Sequence, residues 1–369
     1  MFKLLIFGLT ITKIIDLGSA LNQGDACTDA KRQSGSCILA RECPQVVAIV
    51  TNSFSSPADR DFIVQSKCGE LNGSQMVCCA GIPSSSGGDG VANRHSLLPE
   101  PGECGVFLKN RIVGGEITHI SDYPWMARLY YNLGQGKFGY RCGGSLINDR
   151  YVLTAAHCIK AIPATWKLIQ VRLGDWDSES EHDCEDDDCS DPVVDVDVES
   201  VTVHNEYSPS SKAQYNDIAL IRMRRAVRYT DWVKPVCLPV TATLKNKDVT
   251  GVKLFVAGWG KTEFSSGSRF KLHVGLVARS LAQCNSAYTR SGAVLKDTQL
   301  CAGGDKGKDS CSGDSGGPLM KEETSTGNPF YWIVGIVSFG PKNCGTENLP
   351  GVYTKVSKYV NWIESNVRN

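Results

Sequence analysis

The chain has 369 residues, 41% of them apolar and 21% charged, enough for a sizeable core and for more than one domain. Its 39 basic and 39 acidic side chains cancel, so overall charge gives no reason to expect nucleic acid or an anionic membrane as partner. Sixteen cysteines, an even number, suit an oxidising compartment rather than the cytosol, and the CxxC and HxxxH pairings that would hold zinc are absent.

Met1 to Ala20 places Lys3 before the apolar run Leu4-Leu5-Ile6-Phe7-Gly8-Leu9 and closes on Gly18-Ser19-Ala20. This order predicts a secretory signal peptide over residues 1–20, and hence a secreted, extracellular product. Lys13 and Asp16 interrupt the run, and no later segment approaches the roughly twenty apolar residues of a membrane span.

Cys27, Cys37, Cys43, Cys68, Cys78 and Cys79 crowd a segment with few long apolar runs. A domain that small needs covalent staples, and six cysteines allow fifteen pairings. Asn72-Gly73-Ser74 is the only N-glycosylation sequon. The stretch 81–90, rich in Gly and Ser, reads as a flexible linker and marks a domain boundary.

From Ile112 the chain changes to short β-branched and aromatic runs, such as Tyr151–Thr154, Lys253–Ala257 and Trp332–Val337, punctuated by Gly, Pro and Asn. Many short strands at turn spacing predict an all-β barrel or sandwich. The spacing of Val356, Tyr359, Val360, Trp362 and Ile363 predicts one amphipathic helix over 356–367.

Three segments bear on chemistry. In Gly313-Asp314-Ser315-Gly316-Gly317-Pro318 a serine sits among residues that permit sharp turns, exposing a hydroxyl beside backbone amides. A serine alone is a poor nucleophile and needs a base and a group to orient that base. His157, in Leu153-Thr154-Ala155-Ala156-His157-Cys158, offers the base, and Asp217, in Tyr215-Asn216-Asp217-Ile218-Ala219-Leu220, offers the carboxylate.

In this order and these contexts the three motifs resemble the chymotrypsin/trypsin family, over Ile112 to Asn369. The resemblance implies a chymotrypsin-like double β-barrel with a C-terminal helix. It also implies Ser315 as nucleophile, His157 as proton shuttle, Asp217 as its orienting group, and the Gly313 and Ser315 amides as the oxyanion hole. Asp309, six residues before Ser315, matches the pocket-floor carboxylate of trypsin-like members, with Ser338, Gly340 and Gly351 as pocket walls. Cleavage after Arg or Lys follows. Phe339 departs from the usual tryptophan and leaves an apolar face.

Lys109-Asn110-Arg111-Ile112-Val113-Gly114-Gly115 resembles a zymogen activation site. Cutting after Arg111 would free the Ile112 ammonium to pair with Asp314, and Arg111 implies an activator that is itself trypsin-like. The six early cysteines resemble the clip domain of arthropod clip-domain serine proteases, here residues 27–79, with 80–111 as linker and activation segment and 112–369 as protease domain. The family pattern implies Cys27–Cys78, Cys37–Cys68 and Cys43–Cys79 in the clip. In the rest of the chain it implies Cys104–Cys237, Cys142–Cys158, Cys184–Cys189, Cys284–Cys301 and Cys311–Cys344.

By analogy with the clip-domain group, the expected setting is an innate-immune cascade in hemolymph, leading to melanization or the Toll pathway. Prophenoloxidase, pro-Spätzle or other clip proteins would be the substrates, and a serpin the inhibitor. A digestive or developmental protease and a non-catalytic clip adaptor are the alternatives, the adaptor disfavoured by the presence of Ser315. Residues 175–199 hold thirteen acidic side chains and no Lys or Arg. They resemble a calcium loop in which Asp175, where glutamate is usual, and Glu185 approach one Ca2+; without the ion, carboxylates so crowded would repel.

Overall fold

The computed structural model describes residues 21, 24–40, 43–51, 56–71, 74–80, 97–106, 117–261, 265, 267–306, 313–324, 329–341 and 343–369. The expected signal peptide, the sequon at Asn72, the cleavage site Arg111–Ile112 and the pocket carboxylate Asp309 all lie outside the described residues. The chain divides into two units, Met1–Ala92 and Asn93–Asn369.

The first unit is a four-stranded antiparallel sheet of β1 (Ala26–Thr28), β2 (Ser34–Leu39), β3 (Lys67–Leu71) and β4 (Ser74–Ala80), in the order β1-β2-β4-β3. Helices α1 (Pro44–Thr51) and α2 (Pro57–Gln65) lie between β2 and β3 in sequence. Ser56 and Asp59 close a capping box at the start of α2, with proline in the first turn, a cap that adds about 1 kcal/mol. The apolar core is thin: Val46 and Val77 form one buried cluster with cysteines, Leu39 and Met76 another. Cys27–Cys78, Cys37–Cys68 and Cys43–Cys79 cross-link it.

The second unit holds two closed six-stranded barrels. The first contains β5 (Met126–Gly134), β6 (Lys137–Leu146), β7 (Tyr151–Thr154), β8 (Lys167–Leu173), β11 (Val194–Val203) and β12 (Ala219–Met223), in the order β11-β12-β7-β6-β5-β8. Between β8 and β11 the hairpin β9 (Cys184–Glu185) and β10 (Asp188–Cys189) is closed by Cys184–Cys189. The second barrel, in the order β13-β14-β15-β18-β17-β16, contains β13 (Lys253–Gly258), β14 (Leu272–Arg279), β15 (Gln299–Ala302), β16 (Pro318–Glu323), β17 (Phe330–Phe339) and β18 (Gly351–Lys355).

β17 is buried along all but its last residue, which is why its sequence is continuously apolar instead of alternating. Trp332, Val334, Leu254, Leu276, Leu319 and Tyr353 fill the second barrel. A larger cluster fills the first barrel and continues across to Met320, Tyr331, Ile333 and Ile336 of the second, and buried Trp125 donates from Nε1 to the Met320 sulfur at 3.0 Å. Burying side chains of this size contributes about 1.5–3 kcal/mol each, so the two barrels are held by apolar contact as well as by chain connection.

Short helices α3 (His157–Lys160), α4 (Ala242–Lys245) and α5 (Leu281–Tyr288) punctuate the barrels, and α6 (Val360–Asn366) ends the chain. The expected helix over 356–367 is shorter: Val356–Lys358 forms one 3-10 turn, and Tyr359, at φ −117°, separates it from α6. The apolar spacing still shows through, since Tyr359, Ile363 and Val367 are all buried in the larger cluster. Cys104–Cys237, Cys142–Cys158 and Cys284–Cys301 brace the unit. Cys311, half of the remaining pair, is outside the described residues.

Candidate active site

His157 and Asp217 meet because their strands do. β7 pairs with β12 in a register that sets Thr154 opposite Ala219, so the residues just beyond β7 and just before β12 emerge at one end of the first barrel. Asp217 has no exposed surface. Its Oδ1 accepts the His157 backbone N–H at 2.8 Å, while Oδ2 is 2.8 Å from His157 Nδ1 and accepts the Ser338 hydroxyl at 2.5 Å. A carboxylate only accepts, so Nδ1 carries the proton and Nε2 is left as the basic nitrogen.

Asn216 takes a left-handed conformation at φ 57°, and its Oδ1 accepts the Tyr359 hydroxyl at 2.9 Å. The Thr354 hydroxyl donates to the Asp217 carbonyl at 2.7 Å. Both barrels and the C-terminal segment therefore fix one carboxylate.

Ser315 lies on the loop entering β16. Gly313 and Gly316 flank it at φ 111° and 80°, where a Cβ would sit 2.8 Å from Gly260 Cα and 2.2 Å from Thr154 Oγ1 respectively, so only glycine fits. The Gly143 N–H donates to the Ser315 carbonyl at 2.8 Å. Neither the Gly313 nor the Ser315 amide is committed to a hydrogen bond with a described residue. The Cys158 sulfur stands 3.7 Å from both His157 Nε2 and the Ser315 carbonyl oxygen. His157 and Asp217 are thus in direct contact, whereas no hydrogen bond joins His157 Nε2 to the Ser315 hydroxyl; in unliganded sites this contact is often open and tightens on the substrate.

Asp314 accepts the Gly260 N–H at 2.9 Å, and a Cβ at Gly258 or Gly260 would collide with its carboxylate. Gly340, one residue past the end of β17, stands near Gly351 at the start of β18: a Cβ on Gly340 would fall 3.6 Å from Gly351 Cα. Ser338, expected on the pocket wall, directs its hydroxyl to Asp217. The signal available in sequence was a lone hydroxyl inside an apolar run, which must find a partner when buried. Phe339 packs edge-on against Tyr288.

The acidic loop draws partners from several other segments. Arg128 Nη1 lies 2.5 Å from Asp175 Oδ2, with the guanidinium over Tyr140 at 4.0 Å and Trp259 at 5.3 Å. Glu185 Oε2 accepts the Ile120 N–H at 2.9 Å and stands 3.2 Å from His119 Nε2. Asp183 accepts the amides of Trp176 and Asp177, and Asp177 is held by both nitrogens of an Arg269 fork. Lys271 is buried, which pushes its ammonium down to about 8, with Asp122, Asp175 and Asp183 opposing that shift.

Asp175 and Glu185 are therefore turned to separate partners. A calcium ion on Asp175 would share that carboxylate with Arg128. One oxygen of Asp175 and one of Asp183 are buried without a hydrogen-bond partner, and each leaves an acceptor open to a cation. Two side-chain groups among the described residues have metal-ligand spacing, Cys142/His157/Cys158 and His182/Cys184/Cys189, but all four cysteines are in disulfides.

If the loop holds calcium, the ion should raise the melting temperature and chelator should lower it. Arg128→Met should lower it, because an unpaired buried carboxylate costs roughly 3–5 kcal/mol. Thermal scans of parent and variant with calcium or chelator check both, and no change with either in the parent would remove the calcium loop.

No described helix is long and apolar enough to cross a membrane. The family model "Trypsin" matches residues 112–363, and the model "Regulatory CLIP domain of proteinases" matches residues 27–79. The chain is 44% identical to CLIP domain-containing serine protease B4 of Anopheles gambiae, over 94% of this chain and 93% of that protein. It is 41% identical to Melanization protease 1 of Drosophila melanogaster, over 93% of each. Among solved structures it resembles the crystal structure of the drosophila Grass clip serine protease of the Toll pathway, with TM-score 0.65, 34% identity and coverage of 93% of this chain and 97% of that one.

Proposed function

The chain belongs to the trypsin family of serine endopeptidases and carries a regulatory clip domain; from this premise we propose that it is a secreted zymogen, activated between Arg111 and Ile112, that cleaves proteins after Arg or Lys in an extracellular immune cascade. The observation that carries the catalytic part is buried Asp217 bound to His157, with Ser315 held between two glycines in conformations closed to other residues.

In this reading His157 Nε2 takes the Ser315 hydroxyl proton as Oγ bonds to the scissile carbonyl carbon. The carbonyl oxygen becomes an oxyanion facing the Gly313 and Ser315 amides. His157 then returns the proton to the leaving amine as the C–N bond breaks, and a water repeats the sequence to release the acyl group. Asp309 supplies the counter-charge to the substrate's Arg or Lys. The freed Ile112 ammonium pairs with Asp314 and orders the Gly313–Ser315 loop, a two-state switch rather than a source of stability.

Melanization protease 1 and the Toll-pathway structure support the cascade setting. Prophenoloxidase, pro-Spätzle and other clip proteins are the proposed substrates, with a trypsin-like protease upstream and a serpin as inhibitor.

The test is to cut the purified zymogen after Arg111 with an added protease. Arginyl substrates should then turn over and leucyl ones should not, and prophenoloxidase and pro-Spätzle compared side by side would place the enzyme in its pathway. Because Cys104 is joined to Cys237, the product should run as one band without reductant and as two with it. Equal rates on Arg and Leu substrates would refute the pocket assignment.

A further inference from the structure

Beside the nucleophile loop lies a second recess, a cavity of about 370 Å³ whose wall includes Gly313, Cys142 and Gly143. None of residues 338–340 or 350–352 lines it, so it is separate from the residues proposed to wall the pocket for Arg or Lys. Its lining includes Arg141 and Lys261, both exposed. Arg141 donates to the Tyr140 carbonyl at 3.1 Å and sits 5.4 Å from the Trp166 ring centre, and among the described residues neither cation has a carboxylate within ion-pair reach.

The third cation of the wall, Arg128, is neutralised by Asp175. The one acid in the wall, Asp314, is packed against the backbone of Gly258 and Gly260. Tyr140 also lines the cavity, and burial raises its phenol to about 12, which keeps it a hydrogen-bond donor at neutral pH.

A substrate whose Arg or Lys enters the pocket proposed at Gly340 and Gly351, with its carbonyl at Ser315, lays the following residues past Gly313 and Cys142. We propose that this second recess binds acidic side chains downstream of the scissile bond, so that the enzyme selects substrates with Glu or Asp at the second and third positions after the cut. The inference rests on the proposed cleavage after Arg or Lys and narrows its substrate class. Both cations meet solvent, so the effect is moderate and screened by salt.

The experiment uses full-length protein cut after Arg111 and three quenched peptides, identical but for Glu, Ala or Lys at those two positions. The expected result is a kcat/KM about tenfold higher for the Glu peptide than for the Lys peptide, shrinking in high salt. Arg141→Glu should reverse the order and Lys261→Glu should weaken it. A ratio taken within one enzyme preparation is insensitive to partial misfolding. Equal rates for the three peptides in the parent, or an unchanged preference in Arg141→Glu, would overturn the inference. Failure to cleave any peptide after Arg would overturn the cleavage reading beneath it and the inference with it.

Discussion

Ser315→Ala should lower kcat on arginyl substrates by roughly a millionfold, the loss seen when the nucleophile of such a triad is removed, while leaving the fold and the cut after Arg111 by an added protease intact. The fold should survive because the contact that seats Ser315 in the structure is its carbonyl on the Gly143 amide, which alanine retains. The Gly313 and Ser315 amides also remain, so substrate should still bind with KM little changed. Steady-state kinetics on the cut variant, with thermal melting beside it, decides the matter. Turnover above about one per cent of the parent would remove Ser315 from the role of nucleophile.

Asp217→Asn should reduce kcat by about ten thousandfold, by a different route. Three donors converge on this buried carboxylate: the His157 amide, the His157 ring and the Ser338 hydroxyl. Asparagine offers one oxygen and an NH₂ that itself donates, so the imidazole must turn its lone pair toward the amide and carry its proton on Nε2. A protonated Nε2 on a neutral ring cannot accept from Ser315. At least one of the three donors would also lose its acceptor, at a cost of about 1–3 kcal/mol, so this variant should melt several degrees lower where Ser315→Ala does not. A kcat within tenfold of the parent would mean that Asp217 does not orient the base.

Much of the fold could be read from local pattern. The runs at 151, 253 and 332 became β7, β13 and β17, and the spacing of apolar residues near the C-terminus became α6, shortened where a 3-10 turn intervenes. What could not be read was pairing between distant segments. Counting charges within 175–199 does not show which carboxylates are paired: Asp175, Glu185 and Asp177 meet Arg128 from β5, His119 from the segment before it, and Arg269 from just before β14. Charge along the chain is local, whereas neutralisation is a property of the folded surface. Ser338 shows the same limit: only the crossing of β17 behind Asp217 shows where its hydroxyl goes.

The hydrogen bonds across the join of the two barrels carry a consequence for how the enzyme would fail. Gly143 to Ser315, Ser338 to Asp217 and Thr354 to Asp217 each run from one barrel to the other, and the triad itself straddles the same fissure. The bonds that hold the halves in register and the bonds that set the chemistry are thus largely the same bonds. Turnover would behave as a vernier on the fissure, lost to a displacement too small to disturb either barrel's strands. Mild denaturant should extinguish hydrolysis while the circular dichroism of both halves still reads native, and an inhibitor that wedges the fissure open need never touch Ser315.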